Sequence, residues 1–251
     1  MSATSIIDNA KKATGKVICR DFGQSGSGFF IGDDGFFLTN NHVISKTIPS
    51  ADGTLIIIYS KEIFVEIDKI IYPATIIIDE NADEPAVYDY AILKVEGAHS
   101  AHISIGDFSQ VKQGESVMAI GFSSGFDLPT ASLGIVSAIF SRESHLNSLH
   151  MMNTFLMDAF VTYGNSGGPL IRLSDGTAVG IVTMPHEIRG KLREKLEKHL
   201  LSSSADVTQP IRDLIDYVFT YLHTGYNYAI SIEYATNDSS YKTRVGIQKC
   251  L

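Results

Sequence analysis

The chain has 251 residues, 44% of them hydrophobic by type and 19% charged, with a formal net charge of −8. That length supplies one large all-β domain or two small ones with a substantial buried core, and the acidic balance excludes general binding to nucleic acid, which needs clustered Lys and Arg. No run approaches the roughly eighteen apolar residues of a membrane span. The opening stretch, Met1–Lys12, lacks the continuous apolar core of a secretory leader, and there are two cysteines, Cys19 and Cys250. Two cysteines fit a reducing compartment or an exporting organism that does without bridges, and with the missing leader core the expectation is a soluble, cytoplasmic chain.

From residue 14 to residue 185 the pattern is short β-branched and apolar runs separated by Gly, Asp, Asn and Ser. Strands are predicted over Lys16–Asp21, Gly28–Ile31, Phe36–Asn40, Thr54–Tyr59, Ile63–Tyr72 and Tyr90–Val95. Further strands follow at Ser116–Gly121, Leu133–Phe140, Phe155–Asp158, Pro169–Arg172 and Ala178–Thr183. Gly32-Asp33-Asp34-Gly35 reads as a hairpin turn. Many short strands with frequent turn residues indicate a sandwich or a pair of barrels rather than βαβ units. After Pro185 the apolar period becomes helical, at Ile188–Leu201 and again at Ile211–Leu222, where Pro210 follows Thr208 as a helix opening. A last strand-like segment, Tyr226–Tyr234, closes the pattern.

Three stretches carry chemistry. In Gly164-Asn165-Ser166-Gly167-Gly168-Pro169 a serine sits in a glycine-flanked turn, which exposes its hydroxyl and lets backbone N–H groups converge beside it. By itself Gly-x-Ser-x-Gly also fits the nucleophile elbow of α/β-hydrolases. His42 stands where the apolar run Phe36–Leu38 ends in a polar tip, a place where scaffolds display reactive groups. Asp89 opens the buried-looking strand Tyr90–Val95, and alone it would read as a plain strand-opening cap. The order His, Asp, Ser differs from the Ser, acid, His order of elbow hydrolases and from the Asp, His, Ser order of subtilisins.

Taken with Gly26–Ile31, Thr39–Val43, Asp89–Val95, Ile105–Asp107, Gly114–Gly121, Gly134–Ala138, Asp158-Ala159, Gly164–Pro169 and Gly180–Thr183, the chain resembles the trypsin-like serine proteases, and within them the HtrA/Deg branch. The resemblance covers about residues 14–185 and resumes weakly at Gly225–Ile232. It implies two six-stranded antiparallel β-barrels of the chymotrypsin type, in one protease domain over 1–251. The first barrel is expected at about 14–110 and the second at 111–235, with a two-helix insertion over 187–223 and a tail over 236–251. By resemblance His42 is the general base, Asp89 orients it, Ser166 is the nucleophile, and the N–H groups of Gly164 and Ser166 form the oxyanion hole.

The resemblance also implies a specificity pocket from Phe160, Val161, Thr162 and Tyr163, with Thr183, Met184 and Pro185 on its wall. No aspartate stands where trypsins hold Lys or Arg, so a small or medium apolar residue is expected before the scissile bond. Asn165 occupies the position where secreted trypsins carry the aspartate that pairs with a new N-terminus, so no activation by N-terminal cleavage is expected. Tyr163 departs from a position that is usually basic in the HtrA branch. The peptide-binding (PDZ) domain of many HtrA relatives is not expected after residue 235.

No cofactor and no metal are expected, because the cysteines and histidines lack ligand spacing. Gly23–Gly28 precedes a strand rather than a helix and so is not a phosphate loop. The expected partner is a protein or peptide substrate, with a regulatory partner or self-assembly through 187–223 set against simple packing of those helices on the second barrel. The competing functions are a catalytically silent, partner-binding protease fold and an esterase or acyl transferase on the same scaffold.

Overall fold

A computed structural model describes residues 2–50, 55–77, 84–97, 101–123, 126–144, 149–183 and 227–238. Both predicted helices and the pocket-wall residues Met184 and Pro185 lie outside the described residues. Helix α1 (Ala3–Ala13) comes first, capped by Ser2, whose hydroxyl accepts the Ser5 N–H at 3.2 Å. Ile6, Ala10 and Ala13 form its buried stripe. The strand-based reading passes over this helix although Ala3, Ile6, Ile7, Ala10 and Ala13 recur at helical spacing, because alanine makes up most of that face and gives little apolar contrast.

The first barrel contains β1 (Thr14–Cys19), β2 (Gln24–Ile31) and β3 (Phe36–Thr39). Helix α2 (Asn41–Ile44) and a separate hairpin of β4 (Ser45–Pro49) with β5 (Leu55–Tyr59) follow. The barrel is completed by β6 (Ile63–Ile67), β7 (Ile70–Ile77) and, after α3 (Glu84–Val87), β8 (Ala91–Val95). It closes in the order β1-β2-β3-β8-β7-β6. The single strand expected at Ile63–Tyr72 is two strands in a tight hairpin, turned by Asp68 and Lys69 at φ 48° and 67°. Two successive positive φ values give the sense of twist that a two-residue hairpin needs. Neither residue is the glycine or asparagine that usually signals such a turn.

The second barrel uses β9 (Ser116–Gly121), β10 (Thr130–Glu143), β11 (Met151–Met157), β12 (Pro169–Arg172), β13 (Ala178–Thr183) and β14 (Asn227–Ser231). It closes as β10-β11-β14-β13-β12-β9. A short helix α4 (Glu233–Asn237) follows β14. The described residues therefore form two closed six-stranded antiparallel barrels, the expected all-β, chymotrypsin-like architecture.

Why the first-barrel strands read as unbroken apolar runs is clear from their two faces. Phe30, Phe37 and Leu93 point into the first barrel with Val17 and Val65. Their neighbours Phe29, Leu38 and Ile92 point out of it and meet Met118, Ile120, Ile181 and Ile230 of the second barrel. Successive side chains alternate faces, so a strand buried on both shows no polar alternation. Each such Phe, Leu or Ile contributes about 1.5–3 kcal/mol by leaving water. The result is a continuous apolar seam between the barrels, and α2, the Asp89 turn and the Ser166 turn all adjoin it.

Candidate active site

His42 lies on α2, one helical turn that begins directly after β3. The Gln24 side-chain amide fastens this turn by donating to the carbonyls of His42 and Val43. Asp89 stands between α3 and β8 with φ 54°, a left-handed conformation uncommon for a residue other than glycine. Its carbonyl accepts from Asn40 Nδ2 at 2.8 Å.

The two side chains meet closely. His42 Nδ1 is 2.9 Å from both Asp89 Oδ1 and Oδ2, and the His42 backbone N–H donates to Oδ1 at 3.0 Å. The Thr183 hydroxyl donates to Oδ2 at 3.1 Å. Burial works against the imidazolium, but the charge and hydrogen bond of Asp89 outweigh it and hold the His42 pKa above the ordinary 6.5. Burial likewise works against the Asp89 carboxylate. The His42 charge and hydrogen bonds, with the Thr183 hydroxyl, outweigh that too and hold Asp89 below the ordinary 3.8.

Ser166 occupies two consecutive turns. The Asn165 N–H donates to Thr162 O at 3.1 Å, and the Gly168 N–H to Asn165 O at 3.0 Å. The side-chain oxygen of Asn165 accepts the Thr162 N–H at 2.8 Å and the Ser123 hydroxyl at 2.9 Å, which ties the turn to the end of β9. Gly164 and Gly167 have φ 91° and 90°, as the turn requires. A Cβ on Gly167 would lie 2.1 Å from Ser27 O and 2.3 Å from Thr39 Oγ1. Only glycine fits there, and its fit presses the Ser166 turn onto β2 and the end of β3, three residues before His42. A Cβ built on Gly26 would meet Val43 at 2.7 Å and Ser166 O at 3.0 Å, so the histidine and serine segments flank one point.

Further tethers cross the seam. The Ser27 N–H donates to Ser166 O at 2.8 Å. The Ser27 hydroxyl donates to Gly164 O at 2.5 Å and accepts the Phe122 N–H at 2.7 Å. Ser166 itself is 7% exposed. Among the described residues, its hydroxyl and the N–H groups of Gly164 and Ser166 make no hydrogen bond. The contact between Ser166 Oγ and His42 is thus not made here, while two backbone donors stand open beside the serine.

Of the pocket residues read from the sequence, Phe160 is 58% and Tyr163 37% exposed. Thr162 is half-buried and donates its N–H to Asn165. Val161 is fully buried in the core of the second barrel, and Thr183 turns its hydroxyl to Asp89. Ser27, Asn40 and Gln24 are structural members of the candidate site that local motifs do not reveal, because their contacts with the Gly164, Asp89 and His42 segments form only as the chain folds. Among the described residues no group of three His, Cys, Asp or Glu is arranged to hold a metal ion.

A His–Asp pair and a glycine-walled serine turn at the seam of two β-barrels define the class. Residues 26–181 match the model of the trypsin-like peptidase domain, and the chain belongs to that family. It is 39% identical over 159 residues to a "Probable periplasmic serine endoprotease DegP-like" of Hahella chejuensis, covering 63% of this chain and 29% of that one. It is 34% identical over 168 residues to "Serine protease HTRA1" of Xenopus laevis, covering 64% and 31%. The matches span under a third of these relatives' lengths. In fold it is similar to the HtrA-type protease AlgW with tripeptide, at TM-score 0.66 and 21% identity, over 98% of this chain and 65% of that one. It is also similar to the Rv3671c protease of M. tuberculosis in its active form, at TM-score 0.63 and 16% identity, over 98% and 86%.

These names correct the cytoplasmic expectation, since several relatives are named periplasmic. Cysteine scarcity misleads here because Cys19 is a buried free thiol of the first barrel, a packing group that carries no information on redox compartment.

Proposed function

We propose that the chain is a serine endopeptidase in which Ser166 is the nucleophile, His42 the general base and Asp89 its orienting partner. The observation that carries this reading is the Asp89 carboxylate on His42 Nδ1, doubly within 2.9 Å, beside a serine turn docked on the same seam. Nδ1 faces Asp89, so Nε2 is the nitrogen assigned to take the Ser166 proton as its oxygen attacks a peptide carbonyl. Asp89 stabilises the imidazolium that forms, and the proton passes to the departing amine. The open N–H groups of Gly164 and Ser166 are the donors for the oxyanion, each contributing about 2.7–4 kcal/mol of transition-state stabilisation. Water then hydrolyses the acyl-enzyme by the reverse proton path.

The substrate class is a protein or peptide with a small or medium apolar residue before the scissile bond. The stretch Phe160–Tyr163 has no carboxylate to hold Lys or Arg, and Phe160 offers an exposed apolar ring. The test is hydrolysis of casein and of a peptide library by wild type and Ser166→Ala. Cleavage after apolar residues that disappears in the variant is expected; cleavage after Lys or Arg would remove the specificity reading. A second reading, a silent protease fold that binds peptides, draws on the unbonded Ser166 hydroxyl. It predicts peptide binding with no hydrolysis in either protein.

A further inference from the structure

Asp89 holds a left-handed φ, a conformation that costs free energy even for aspartate. Its N–H donating to Ala86 O at 3.3 Å in the turn after α3 accounts for it only in part, so contacts on either side bear on it. The residues on either side are both gripped by the chain that follows β14. Before Asp89, the Tyr88 ring stacks on Tyr234 of α4, with centroids 4.1 Å apart and planes 7° from parallel. The same ring receives the edge of His150 at 5.9 Å, and the Val87 carbonyl accepts the Ser144 hydroxyl at 2.5 Å. After Asp89, the buried Tyr90 sends its hydroxyl to Asp238 Oδ2 at 2.6 Å. Asp238 is itself buried and lies one residue past α4. Tyr234 is anchored in turn, accepting the Asn153 N–H at 2.7 Å through its own hydroxyl.

Resting on the triad reading above, we propose that Glu233–Asp238 is a clamp that positions Asp89, with Tyr88, Tyr90, Tyr234 and Asp238 as positioning residues for the His42–Asp89 pair. The logic is one of leverage. The two flanking side chains are both fixed to the one short segment that follows β14, which constrains the backbone torsions of the single residue between them. Without the clamp, Asp89 relaxes toward an ordinary φ and its carboxylate leaves the bidentate position on His42 Nδ1. Each of the four groups acts through Asp89. A displacement of about 1 Å at a reacting group can cost on the order of a hundredfold in rate.

The test uses Tyr90→Phe, which deletes only the hydroxyl, and Tyr88→Leu, which deletes the stacked ring, with Tyr88→Phe as the conservative partner. Peptide hydrolysis gives kcat and KM, and the His42 ring titration is followed by NMR in a Ser166→Ala background. The clamp predicts that Tyr90→Phe and Tyr88→Leu lower kcat by about tenfold or more with KM held. It also predicts a fall in the His42 titration midpoint toward that of a free histidine, with Tyr88→Phe restoring both values. Lower thermal stability with kcat and the His42 midpoint unchanged would reduce these contacts to packing and overturn the proposal. Because the NMR titration needs no turnover, it tests the clamp even if wild type proves inactive; inactivity would instead count against the endopeptidase reading.

Discussion

Replacing Thr183 by valine separates two roles for one buried residue. The hydroxyl lies 3.1 Å from Asp89 Oδ2 and is one of three donors to that carboxylate, with His42 Nδ1 and the His42 N–H. Thr183 is only 2% exposed, and valine keeps its shape. The loss is therefore one hydrogen bond to a charged acceptor, about 1.5–3 kcal/mol. Asp89 then holds the imidazolium less well, and the loss falls on the step in which His42 is charged. At about 1.4 kcal/mol per factor of ten, kcat should drop by roughly tenfold to a hundredfold. KM should stay near wild type, and Thr183→Ser should recover most of the rate. Steady-state hydrolysis of one peptide by the three proteins, with thermal melts beside it, gives the answer. A raised KM with unchanged kcat would refute the reasoning and return Thr183 to a pocket wall.

Other outcomes follow from the same geometry. Ser27→Ala strands the Gly164 carbonyl and the Phe122 N–H, a cost of about 1–3 kcal/mol for each group left unpaired; melting temperature should fall and hydrolysis slow, and unchanged values would deny Ser27 its tethering role. Gly167→Ala puts a left-handed φ on alanine, about 1–3 kcal/mol alone, and adds a Cβ 2.1 Å from Ser27 O, so loss of the folded state on thermal melting is expected. The His42 pKa is raised, so the neutral base is lost early on acidification, and kcat/KM should fall through a midpoint above 6.5. The ion pair's contribution to stability has the opposite sense, present in full below the unfolded histidine value and lost as pH rises through the folded one. An acid limb below 6.5 in the rate profile would contradict the pairing with Asp89.

The sequence carries the barrels and the order of His42, Asp89 and Ser166 because these are local signals: short apolar runs, a glycine turn, a polar strand end. The tethers are long-range. Ser27 meets Gly164 across 137 residues and Thr183 meets Asp89 across 94, and nothing beside either residue announces its partner. The hairpin at Asp68-Lys69 is hidden for another reason, since its second positive φ sits on a lysine where such turns usually carry glycine. Val161 shows the limit of alignment by position: it belongs to the pocket stretch by sequence, yet its side chain fills the second barrel.

The central claim, an activatable Ser166 served by His42, is tested most directly by fluorophosphonate labelling read as intact mass on wild type and Ser166→Ala. One adduct on wild type that vanishes in the variant is the predicted result. No adduct on folded wild type, or an adduct that survives in Ser166→Ala, would contradict it.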